Sequence, residues 1–158
     1  MVVLMNKILV FLFSTIIYIN ASDNYTFLVN KYNKEIELEA KIVSNIAQNL
    51  KFGNKTNLFI PNVTDSEKKI YSEYFNLTNE CSEANFVFIK NDKNTSSCQK
   101  SSGKIFFTNN YDLLLKNEQF IGAFFWSKSR PNIVFIKNRL LKNNIQLPES
   151  YDKFIEEF

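Results

Sequence analysis

The sequence predicts an α/β fold: a single layered domain in which a mixed, mostly parallel sheet of about five strands is flanked by helices, with a C-terminal β-hairpin followed by helices. Three observations carry that reading. Short apolar runs rich in Phe, Ile and Val alternate with stretches at helical spacing. The run Phe120 to Ser127 is apolar on both faces, as in a strand covered on both sides. A short polar break then separates it from a second strand-like run, which reads as a hairpin.

The elements follow in order. Ser22 to Lys34 reads as an irregular lead-in. From Glu35 to Leu50, Leu38, Ile42, Val43, Ile46, Ala47 and Leu50 recur at helical spacing, with Glu37, Lys41, Asn45 and Gln48 between them; this predicts an amphipathic helix with one buried stripe, capped near Gly53. Asn57 to Ile60 is a short strand stopped by Pro61. Thr64 and Glu67 stand at capping-box spacing, so a second helix starts near Asp65. Asn85 to Ile89 and Lys104 to Thr108 are the next two strands, joined by a polar loop that contains Cys98. Tyr111 to Lys116 is a short helix. Phe120 to Ser127 and Asn132 to Lys137 form the hairpin around Lys128-Ser129-Arg130-Pro131. In the first of its strands Phe120, Gly122, Phe124 and Trp126 point one way and Ile121, Ala123 and Phe125 the other. Asn138 caps a helix over Arg139 to Asn143, and Tyr151, Phe154, Ile155 and Phe158 stand at helical spacing in the last segment.

The opening MVVLMNKILVFLFSTIIYINASDN has the three parts of a secretory signal: Lys7, an apolar core from Ile8 to Ile19, and a small-residue exit at Asn20-Ala21. Met5 is an equally good start. A retained membrane anchor is the alternative, but a spanning helix needs about 20 apolar residues and this run is shorter. The expectation is a signal over 1–21, an exported domain over 22–158, and no stable membrane insertion once the signal is removed. The two cysteines, Cys81 and Cys98, then pair as a disulfide, since exported chains fold in an oxidising space. Without histidine they are too few for tetrahedral zinc.

Composition excludes much else. The net charge is only +3, with Lys and Glu scattered, so there is no nucleic-acid footprint. No histidine means no Ser-His-Asp triad, no Cys-His dyad and no histidine metal ligand. The carboxylate pairs Glu37/Glu39 and Glu156/Glu157 read as solvated helix faces, and no glycine loop could cradle a phosphate. The expectation is a protein that is not an enzyme and takes no cofactor. The sequence sets no oligomeric state. Asn-x-Ser/Thr occurs at Asn24, Asn54, Asn62, Asn76 and Asn94; Asp92 to Ser96 also fits a longer acidic acceptor sequence.

Two candidate sites remain. At the carboxyl ends of parallel strands, where such sheets bind ligands, Asn62, Thr64, Thr108 and Asn109 form a candidate polar crevice. At the hairpin, Phe125, Trp126 and Arg130 are candidates for protein interaction, because Trp and Arg dominate interface hot spots.

The layout resembles the YfiR-like periplasmic regulators. The likeness lies in "LEAKIVSNIAQNL", "ANFVFI", "KIFFTNNYDLL" and above all "IGAFFW…VFIKNRLLKNNIQL", through Gly122, Phe135, Asn138, Ile145 and Leu147. The family typically doubles the glycine where this chain has Ile121-Gly122, and often carries Arg where this chain has Val134. The resemblance implies a non-catalytic regulatory domain that docks on the periplasmic part of a membrane signalling protein such as a diguanylate cyclase. The alternatives are a small-ligand module built at the strand ends and an exported redox protein cycling Cys81 and Cys98.

Overall fold

The structure, a computed structural model, describes residues 29–50, 56–90, 98 and 103–157. The signal segment 1–21, the cap at Gly53, the acceptor asparagines at 24, 54 and 94, and the segment Asp92 to Ser96 lie outside these. Two compact units divide the chain, Met1–Ile36 and Glu37–Phe158. In the first, residues 29–36 are helical, so part of the expected irregular lead-in is helix; Lys31 and Glu35 pair there one turn apart at 3.9 Å. The second unit holds the sheet.

In the second unit α1 covers residues 37–49. It is followed by β1 (Asn57–Phe59), α2 (Asp65–Tyr74), β2 (Asn76–Leu77), a 3-10 turn (Cys81–Glu83), β3 (Phe86–Ile89), β4 (Ile105–Thr108), α3 (Tyr111–Lys116), β5 (Phe120–Ser127), β6 (Arg130–Ile136), α4 (Lys137–Lys142), a second 3-10 segment (Glu149–Phe154) and β7 (Ile155–Glu156). The described strands form one sheet in the order β2-β1-β3-β4-β5-β6-β7, parallel throughout except between β5 and β6. This is the predicted α/β class, with seven strands where five were expected. The two additional strands are the two-residue β2 and β7 at the sheet's edges, too short to leave a periodic signal. β7 also corrects the expected C-terminal helix: Pro148 opens a 3-10 segment, and Ile155 then pairs with Phe135.

Local chemistry explains the clean boundaries. Thr64 accepts from the Glu67 amide while the Glu67 carboxylate accepts from the Thr64 amide, the reciprocal capping box that starts α2. The Asn110 side chain caps α3 by accepting from Leu113 N at 2.9 Å. Asn138 does not cap α4. Ile136 is still a strand residue and Lys137 is already helical, so Asn138 falls inside the first turn and no side-chain cap exists. α4 is tied down by Arg139, whose guanidinium donates to the carbonyls of Leu114 (2.7 Å), Asn117 (3.1 Å) and Phe120 (2.9 Å).

Aromatic rings fill one side of the sheet. Phe75, Phe86, Phe107, Phe135 and Tyr151 follow one another at centroid distances of 6.4, 6.1, 5.7 and 5.9 Å, the first four rings essentially without exposure. Each fully buried phenylalanine stabilises by roughly 1.5–3 kcal/mol, with about 0.5–1.5 kcal/mol more for each well-placed ring pair. The other side packs Val87, Ile89, Phe106, Leu113, Phe120 and Ala123 together.

Phe120 on that second side corrects the expected alternation. Phe106 faces Phe120 but Phe107 faces Gly122, so Ile121 is an extra residue, and the bulge turns Phe120 to the side of Phe106. Beyond the bulge the alternation holds, with Gly122 against Phe107 and Ala123 in the second cluster.

Cys81 and Cys98 form a disulfide, with Cα atoms 5.6 Å apart and a sequence separation of 17. Closing such a loop stabilises by about 3 kcal/mol on the chain-entropy view. Lys104 reinforces the same corner, its ammonium donating to the carbonyls of Cys81, Ser82 and Ala84 at 2.7–2.9 Å. A disulfide is what a chain folded in an oxidising compartment carries. Among the described residues no helix is long and apolar enough to cross a membrane.

Candidate interaction site at the hairpin

The β5–β6 hairpin carries the outward-facing candidates. Lys128 and Ser129, with φ of 48° and 60°, make a two-residue turn with both central residues left-handed, and Ser127 pairs with Arg130 across it. The polar break is therefore two residues, and Arg130 and Pro131 already belong to β6. Burial falls steadily from the hairpin's base to its tip. The base is clamped in the core and the tip stands in solvent.

Trp126 sits near the tip opposite Pro131, 37% exposed, with its ring edge-on to buried Phe124 at 5.8 Å. Arg130 is exposed. Phe125 takes the other face, half-buried against the Tyr111 ring at 5.0 Å. The structure thus brings Trp126 and Arg130 to one tip but on opposite faces of the hairpin: Trp126 shares its face with Pro131, whereas Arg130, paired with Ser127, lies on the face of Phe125.

Beside the hairpin lies a groove of about 610 Å³, walled by α1, β6 and the 3-10 segment. Leu38, Ile42, Ile133 and Phe154 supply its apolar surface, and Lys41 its positive charge. Leu38 and Ile42 correct the expected helix stripe. The buried side of α1 is instead Glu39, Ala40, Val43, Ser44, Ile46 and Ala47, which leaves Leu38 39% exposed at the groove wall. Tyr151 fixes the groove's position: its hydroxyl donates to Asn45 Oδ1 at 3.1 Å and accepts from Asn49 at 3.3 Å. Burial pushes its phenol above the usual value against that Asn49 bond.

The strand-end candidates meet a different fate. Asn62 adopts a left-handed turn, φ 54°, after Pro61. The Thr108 hydroxyl donates to Ile89 O at 2.7 Å and accepts from Asn110 N at 3.1 Å. Thr64 and Asn109 are drawn into an ionic cluster that was not expected. The Lys90 ammonium lies 2.7 Å from Glu39 and 2.9 Å from Glu67, two buried carboxylates from α1 and α2. Tyr71 donates to the same Glu39 oxygen at 2.5 Å, Asn109 to its other oxygen at 3.3 Å, and Thr64 to Glu67 at 2.8 Å. Lys90 also lies over the Tyr71 ring at 4.8 Å.

Burial disfavours the charge on Lys90, but Glu39 and Glu67 outweigh it and hold the ammonium above the usual lysine range. Burial likewise opposes ionisation of Glu67, and Lys90 with Thr64 more than offsets it, leaving that carboxyl below its usual value. These charges are spent on one another. The cluster pins α1 and α2 to the end of β3. Glu39 gave one legible sign, an acid placed among Ala40, Val43 and Ile46 on what proves to be the buried face; its partner Lys90 lies too far along the chain for periodicity to connect them.

No family model matches the chain, and no curated protein matches it. Among solved structures it is similar to the crystal structure of a conserved domain protein from Vibrio cholerae O1 biovar eltor str. N16961, with a TM-score of 0.50 and 9% identity over 77% of this chain and 59% of that one. The chain therefore spans less than two thirds of that protein's length. At this identity the likeness is one of fold, and it shows the α/β architecture of a mostly parallel sheet flanked by helices.

Proposed function

We propose that this is an exported, non-catalytic regulatory domain that docks by its β5–β6 hairpin on the periplasmic part of a membrane signalling protein. The observation that carries the reading is Trp126, a large ring held outward at the tip of a hairpin whose base is buried. Trp and Arg are the side chains through which interfaces draw most of their energy, and a ring already braced by Phe124 loses little freedom on binding. The YfiR-like resemblance supplies the class of partner, a membrane-bound diguanylate cyclase. A small polar ligand at the strand ends is less favoured, since Thr64, Thr108 and Asn109 already have partners there.

The test is binding of the full chain to the periplasmic domain of a diguanylate cyclase from the same organism. Trp126→Ala and Arg130→Ala should each weaken binding by tenfold or more, as hot-spot truncations of about 2 kcal/mol do. Both variants should melt within a few degrees of the parent, because neither side chain is buried. Unchanged affinity in folded variants would remove the hairpin from the interface.

A further inference from the structure

We infer that the partner contributes an extended segment that adds as a strand to the outer edge of β6, in line with β7; this rests on the docking reading above and specifies its mode. β7 pairs only with Phe135 and Ile136, and among the described residues Arg130 to Val134 have no strand on that side. The chain leaves this edge open because Glu149–Phe154 arrives as a 3-10 segment and reaches β6 only at Ile155.

The two-residue turn fixes which groups face outward. Ser127 and Arg130 form the closing hydrogen-bonded pair, and the antiparallel alternation then turns Asn132 and Val134 towards β5. Pro131, Ile133 and Phe135 face away. Phe135 is taken by β7, which leaves the N–H and C=O of Ile133 and the C=O of Pro131 for an incoming strand. Pro131 lacks only a donor that would have pointed outward.

The same residue continues into the groove. The Ile133 side chain lines it with Leu38, Ile42 and Phe154, so alternate side chains of an added strand would meet an apolar wall. Lys41 also lines it and has no ion-pair or hydrogen-bond partner among the described residues. The occupant that fits is an extended segment with alternating apolar residues and a carboxylate for Lys41. A second copy fits less well. Twofold pairing centred on Ile133 would drive Pro131 of the copy into the place of β7 opposite Phe135, and the next register sets Ile133 against Pro131 of the copy and loses a hydrogen bond on each side.

A random twelve-residue peptide library displayed on phage and selected against the full chain supplies the probe. The expected winners alternate apolar residues around an acidic one, slow deuterium exchange at the Ile133 amide by tenfold or more, and bind Ile133→Pro at least tenfold more weakly than Ile133→Val. The exchange measurement needs no variant, so it decides the matter even if the proline unfolds β6. Failure to enrich any peptide, or binders that leave the Ile133 amide unprotected, overturns strand addition. So does a dimer of the unliganded chain that is lost in Ile133→Pro, which would assign the edge to a second copy. None of these results alters the cyclase-binding outcome for Trp126→Ala and Arg130→Ala, which tests the docking reading separately.

Discussion

Replacing Lys90 with methionine should cost about 3–5 kcal/mol, the usual penalty for removing one member of a buried ionic group. The variant keeps Glu39 and Glu67 buried with no cation between them. Methionine fills much of the lysine stem's volume, so the loss is electrostatic rather than a cavity. Against a total stability of roughly 5–15 kcal/mol this is a large fraction, and Tm should fall by on the order of 10 °C or more. Tyr71→Phe removes only one donor to Glu39 and leaves Lys90 in place, so it should cost less, about 1.5–3 kcal/mol, the range for a hydrogen bond to a charged group.

The pH dependence separates this mechanism from simple mispacking. In the parent, Glu67 is depressed below its ordinary 4.5, so its contribution is complete above that value and is lost as pH falls through the lower folded value. Lys90 is raised above its ordinary 10.5, so its contribution is complete below that value and is lost as pH rises through the higher folded one. The parent should therefore be most stable across the neutral range between them. In Lys90→Met the sign reverses on the acid side. Two neighbouring carboxylates without a cation share a proton more readily, so mild acid should recover part of the lost stability. Thermal melts at neutral and mildly acidic pH read the difference. A variant that simply weakens further in acid would refute the assignment.

Gly122→Ala carries the second large effect. On propensity alone the change would stabilise, because glycine inside a strand costs about 0.5–1 kcal/mol relative to alanine. Sterics decide otherwise. A Cβ there would stand 2.5 Å from the Val134 carbonyl oxygen, 2.7 Å from the Phe107 ring and 2.8 Å from the Phe135 ring. The carbonyl is backbone of the paired strand, and both rings sit in the aromatic series, so none of the three yields cheaply. Overpacking of this kind costs about 1–3 kcal/mol and occasionally more, and three such approaches at once place it at the upper end. Equilibrium denaturation should show the midpoint falling with little change in slope. An unchanged or higher midpoint would mean that β5 and β6 do not approach as closely as the structure has them.

Much of the fold can be read from sequence where local chemistry sets it. Thr64 and Glu67 announce the start of α2 through their own hydrogen bonds, and Asn110 does the same for α3. The apolar runs FVFI and IFFT can only be buried strands, and they are. What escaped depends on distant parts of the chain. Two-residue strands exist only by virtue of the strand beside them. The bulge at Ile121 arises from the register with β4 and reverses the face of Phe120. Glu39 is buried because Lys90 and Tyr71 meet it there. Of the site, Trp126 and Arg130 were legible by residue type alone. The groove was not, since α1, β6 and the C-terminal segment each contribute a wall, and Leu38 and Ile42 are indistinguishable in sequence from core residues.

The chain's single tryptophan stands on the surface assigned to docking, which makes its own emission the most direct test. On titration with a membrane cyclase's periplasmic domain, Trp126 fluorescence should shift to shorter wavelength and its quenching by acrylamide should fall, as the exposed ring passes into an interface. Saturable binding that leaves both the emission and the acrylamide quenching of Trp126 unchanged would contradict docking through the hairpin.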